Sequence, residues 1–129
     1  MASELRVNTL KDASGNNSIA TSFVAGGSAK AWVNFDGTAG SLSARDSLNS
    51  SSLTDNGTGD YTNTYTSSLS NGNYSAMVAC GDVSGTKSTR DEEVYEITAS
   101  LVKYYIFHTS SEVARDEGYV GGLTHGDLA

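Results

Sequence analysis

The chain has 129 residues with 15 Asp and Glu against 8 Lys and Arg, a formal net charge of −7. That length fits one domain with a real core, and the acidic surface repels phosphate backbones, which disfavours a nucleic-acid partner. Apolar residues make up only 37%, with 20 Ser, 13 Thr and 14 Gly. Such a composition can mean disorder, but 7 Tyr, 3 Phe and 1 Trp supply large packing units. The expectation is a thin β-fold that completes its core with partner chains.

Helical periodicity is almost absent, and short alternating runs are separated by Gly, Asn and Asp turns. The fold class predicted is all-β, an antiparallel β-sandwich or barrel-like domain. Residues 1–24 read as a short extended N-terminal arm and 25–129 as the β-rich domain. In the arm, Leu5, Val7 and Thr9 alternate with Arg6 and Asn8 before a turn at Ala13 to Asn17. From Ser28 to Phe35, Ala29, Ala31, Val33 and Phe35 fall on one face and Lys30, Trp32 and Asn34 on the other. Asp36-Gly37 closes that strand as a hairpin signal, and Ser41 to Leu48 is the returning strand. Ser50 to Thr54 and Asp60 to Thr66 flank a Gly-rich loop, Asp55 to Gly59, longer than two residues. Tyr61, Asn63 and Tyr65 share a face, as do Tyr74, Ala76, Val78 and Cys80 after the turn at Ser70 to Asn73.

Gly81 to Glu93 is polar and predicted to be a loop. Val94 to His108 is the longest β-rich run, with Val102, Tyr104 and Ile106 on one face and Leu101, Lys103, Tyr105 and Phe107 on the other. Apolar residues on both faces predict burial on both sides. Ser110 to Gly118 is a second polar loop. Tyr119 to His125 is a last strand, interrupted by Gly121-Gly122, which marks a bulge or a close approach.

Little in the sequence carries chemistry. His108 and His125 are isolated and read as ordinary single histidines rather than a metal pair. Asp82, Asp91, Glu92, Glu93 and Glu96 lack the alternating spacing of a calcium loop and read as a solvated charged segment. Asp55 to Asp60 reads as turn chemistry. Cys80 has no partner for an intrachain disulfide and reads as a buried small hydrophobe. No nucleophile or phosphate-loop signature is present, so no enzyme activity and no cofactor are expected. The start MASELRVNTLKDASG has no apolar h-region, which predicts no signal peptide. No stretch of about 18 apolar residues occurs, which predicts no membrane insertion. Trp32, opposite the apolar face of its strand, reads as an interface residue, as do Tyr104, Tyr105 and Phe107.

Two segments, SAKAWVNFDG (28–37) and SLTDNGTGDYT (52–62), resemble a recurrent module of phage tail-fibre and related virion proteins. The lead-in ASELRVNTLKDASGNNSIATSFVAGG and the ending YVGGLTHGD are also similar to that family. The resemblance implies a β-rich, usually trimeric assembly used in host attachment. It implies a virion location, assembly in the host cytoplasm, and tail, neck or capsid proteins as neighbours. The function expected is a tail-fibre component, with a capsid or neck decoration protein and a carbohydrate-binding module as alternatives. A host surface glycan is the expected external ligand, met by loops at one end of the fold. The residues expected there are Lys87, Arg90, Asp91 and Glu92 in the first polar loop and Glu112, Arg115 and Asp116 in the second.

Overall fold

The computed structural model describes residues 5–84 and 89–128. After a small hairpin, β1 (Thr9–Lys11) and β2 (Ser18–Ala20), and a short helix, α1 (Thr21–Gly27), the chain enters eight longer strands. They are β3 (Ala31–Phe35), β4 (Ala44–Leu48), β5 (Ser50–Gly57), β6 (Asp60–Tyr65), β7 (Ser75–Gly81), β8 (Arg90–Ile97), β9 (Leu101–His108) and β10 (Tyr119–His125). They form two four-stranded antiparallel sheets in the orders β4-β3-β10-β7 and β5-β6-β9-β8. Packed face to face, these make a sandwich rather than a closed barrel.

The alternating runs place the core where a period of two requires it. Ala31, Val33 and Phe35 of β3 and Val120 of β10 meet Tyr61 and Tyr65 of β6 and Val102, Tyr104 and Ile106 of β9. Phe35 and Tyr61 touch edge to face with ring centroids 5.0 Å apart, the arrangement that ring quadrupoles favour. Tyr104 reaches across from one sheet and lies against the backbone of Gly122 in the other, where a Cβ would overlap its phenol. The Gly121-Gly122 interruption is therefore a close approach. Tyr104 is only 1% exposed, so it belongs to the core and is corrected from an interface residue to a packing one.

Aromatic hydroxyls in this core need partners, and proton counting orders them. Tyr65 donates to the Tyr74 hydroxyl at 3.1 Å, and Tyr74 shares its single proton between the carbonyls of Leu101 (2.9 Å) and Thr98 (3.0 Å). With the Tyr65 proton spent, Thr124 is the donor in the 3.0 Å contact to Tyr65.

Four expectations about the elements are corrected. The hairpin after β5 turns on two residues, Thr58-Gly59, because β5 continues to Gly57 through a bulge. Gly59 sits at φ +71° with the Ile106 carbonyl and Arg115 backbone against it, space that any side chain would fill. The expected loop from Gly81 to Glu93 is shorter, since Arg90 already begins β8. The Val94 to His108 run splits into β8 and β9, with Thr98 capping the turn through bonds to the Ser100 and Leu101 amides. The N-terminal segment is a hairpin followed by α1 rather than an extended arm, and the expected boundary after residue 24 falls inside α1.

The strand directions give the sandwich two unlike ends. Residues 36–43, Thr58-Gly59, residues 82–84 with Thr89, and residues 109–118 all lie at one end. The hairpin-helix segment, Asn49, residues 66–74 and residues 126–128 lie at the other, where Leu69 bridges to Leu128 and the Ser70 amide bonds the Asp127 carbonyl at 2.8 Å. We call these the distal end and the base.

Candidate interaction surfaces

Antiparallel pairing puts directly opposed residues on the same face. In the first sheet the register aligns Leu48 with Trp32, Trp32 with Leu123, and Leu123 with Met77. The neighbours of Trp32 in its strand, Ala31 and Val33, point into the core, so this row lies on the outer face. Four apolar side chains thus run across all four strands. Leu48 is 47% exposed and Met77 63%, while Trp32 and Leu123 are half-buried.

At the base, the hairpin-helix segment carries a second apolar set. Leu10, Ile19, Phe23 and Val24 are exposed, Phe23 at 73%, and no residue of α1 is buried. Lys30 caps the end of α1 by donating to the carbonyls of Ala25 and Ser28, the latter at 2.7 Å. Between α1 and the sandwich an open cleft of about 890 Å³ is lined in part by Ala25, Ala29, Lys30, Leu48 and Leu128.

The distal end is built on internal bonds. Asp116 accepts from the Gly59 amide (2.8 Å) and the Tyr61 hydroxyl (2.7 Å), tying the last loop to the β5–β6 turn. Burial, and then the bond to the Asp116 carboxylate, push the Tyr61 hydroxyl far above its ordinary pKa. Glu117 is 3% exposed and receives Arg90 Nε from β8, with Arg115 Nε 3.5 Å away. Two charges taken out of water need such a partner, because an unpaired buried carboxylate is costly. Arg90 and Asp116, expected to face a host, are engaged in holding the distal end together, while Arg115 stays exposed beside Glu117. Glu92 is half-buried on β8 and accepts the Cys80 thiol at 3.4 Å. Asp91 and Glu112 are exposed, and Lys87 lies outside the described residues. The sequence held no local sign of the Glu117 cluster, since its three members come from β8 and from within one polar loop.

Burial, and then the bond to Glu92, push the Cys80 thiol up to about 12. A thiol held protonated is a poor nucleophile. His108 is held by Thr89 at 2.9 Å through Nε2 and by Ser110 at 3.1 Å through Nδ1, while His125 is half-buried opposite Ser75. Among the described residues no group of three or more His, Cys, Asp and Glu is arranged to hold a metal. No helix among them is long and apolar enough to cross a membrane.

The outer face of the second sheet differs in kind from that of the first. Tyr95, Tyr105 and Phe107 form a row of rings, Tyr95 and Tyr105 edge to face at 6.4 Å and Tyr105 stacked on Phe107 at 5.7 Å. The Tyr95 hydroxyl donates to Asp60 at 2.6 Å, and Asn56 donates to the same carboxylate oxygen at 3.1 Å. Tyr105 and Phe107 were expected at an interface, and the structure sets them side by side on this half-exposed face. Tyr95 was missed because it occupies a bulge between Val94 and Glu96, which shifts the register that parity would assign.

No family model, no curated protein and no solved structure matches this chain.

Proposed function

We propose that this chain is a non-enzymatic structural protein of a tailed-bacteriophage virion, a tail-fibre component that takes part in host attachment. The observation that carries the reading is the molecule's polarity. Exposed apolar residues of the hairpin and α1, together with an open cleft, gather at the base, while the distal end carries the connections 36–43 and 109–118 with only Val83 and Val113 as exposed large apolar side chains among the described residues. A fibre component needs both ends, one to join its neighbours and one to project. The apolar row on the first sheet supports assembly with further copies, since contiguous exposed apolar surface marks an interaction site. The resemblance of residues 28–37 and 52–62 to tail-fibre modules supplies the biological setting, and trimeric assembly in the host cytoplasm comes with it. Neighbouring virion proteins would meet the base, and a host surface glycan the distal end.

A second reading, a carbohydrate-binding module, draws on the row of Tyr95, Tyr105 and Phe107, because aromatic faces stack on sugar rings. Labelling purified particles with an antibody against this chain separates the readings. Label at the fibres is the expected result. Label on the capsid or neck would support a decoration protein instead, and its absence from the particle would overturn a virion role.

A further inference from the structure

On the outer face of the second sheet the chain already seats one ammonium group on a ring. Lys103 Nζ lies 5.8 Å from the centroid of Tyr95 and is paired with Glu96 at 2.7 Å. The face of an aromatic ring is negative and attracts a cation, and a neighbouring carboxylate adds to that attraction. At the other end of the same row, Tyr105 and Phe107 offer the same parts without the cation. Glu93 stands directly opposite Tyr105 in the β8–β9 ladder. Glu112 arrives from the loop after β9, whose turn bonds the Glu112 amide to the His108 carbonyl at 2.8 Å. These four residues line an open cleft of about 320 Å³. Both carboxylates are exposed, and among the described residues neither has an ion-pair partner.

The chemistry of that cleft is selective. An anion meets two carboxylates on a chain of net charge −7. A neutral sugar finds rings to stack on but gains no Coulombic attraction from the two carboxylates. A cation carried on a compact organic group satisfies both.

We propose that the Tyr105–Phe107–Glu93–Glu112 cleft binds an organic ammonium group, borne either by an amino sugar or by a choline-type head group. This goes beyond the attachment reading, since the site stands complete on a single chain. Glu112 adopts φ +53°, a left-handed backbone that Asn accepts far more readily than Glu. Replacing it should therefore separate binding from stability.

The test is an NMR titration of the full chain, at constant ionic strength, with choline chloride, glucosamine and N-acetylglucosamine. The ring resonances of Tyr105 and Phe107 should shift saturably at millimolar choline, glucosamine or both, and stay in place with N-acetylglucosamine, whose nitrogen is uncharged. Saturation by only one of the two ammonium compounds supports the site and identifies the source. In Glu112→Asn the affinity should fall about tenfold, the scale of one lost charge contact beside an aromatic site, while Tm holds or rises. Equal binding of N-acetylglucosamine, undiminished affinity in Glu112→Asn, or no saturation by either ammonium compound would each overturn the proposal. Because the readout needs only the isolated chain, such a failure leaves the virion reading untouched.

Discussion

Tyr104 and Gly122 show how a single missing side chain sets the spacing between the two sheets. The phenol occupies the volume that a Cβ at residue 122 would take, and both residues are buried. Close-packed interiors relax only partly around an added methyl. Gly122→Ala should therefore cost about 2 kcal/mol, within the usual range for overpacking a core. Tyr104→Phe removes the clashing oxygen, so the double variant should recover a measurable part of that loss in a double-mutant cycle by chemical denaturation. Strict additivity of the two changes would contradict this account. The Gly-Gly pair was visible in the sequence as an interruption of a strand. Which aromatic ring it admits was not, because Tyr104 belongs to another strand of the other sheet.

At the level of elements, the chain passes from the first sheet to the second through one residue. Asn49 lies between β4 and β5 at φ +55°, a conformation Asn tolerates better than most residues. Its side chain accepts from the Ser67 amide at 2.7 Å and donates to the Ser67 carbonyl at 3.0 Å. Asn49→Ala should lower stability by about 2 kcal/mol, combining a less favourable left-handed backbone with two lost hydrogen bonds. Asn49→Gly should lose less, since glycine keeps the backbone relaxed. Urea denaturation checks both, and an Ala variant as stable as the parent would contradict the role given to Asn49. The strands themselves were legible wherever alternation was clean, as in Ala31 to Phe35 and Tyr61 to Tyr65. Legibility failed at bulges and charged strands. Arg90 to Glu93 reads as a loop because polar residues on an edge strand look like polar residues in solvent, and only pairing with β9 distinguishes them. The candidate surfaces were half legible: Trp32, Tyr105 and Phe107 stood out by type. The row joining Trp32 to Leu48, Leu123 and Met77 depends on a strand order that no local pattern contains.

As a whole molecule, the sandwich leaves two apolar surfaces for the assembly proposed above to cover. Its first sheet turns Leu48, Trp32, Leu123 and Met77 outward, and its base carries Leu10, Ile19, Phe23 and Val24 uncovered. Fully burying a side chain of the size of Leu, Met or Phe contributes about 1.5–3 kcal/mol, so covering even part of these two surfaces would outweigh the side-chain freedom lost in doing so. Net charge of −7 disfavours non-specific self-association through mutual repulsion. The most direct measurement is the mass of the full chain in solution at micromolar concentration, by light scattering, beside a variant lacking residues 1–27. A homo-oligomer, a trimer, is expected for the full chain and a smaller species for the shortened one. A stable monomer of the full chain would contradict the proposed assembly.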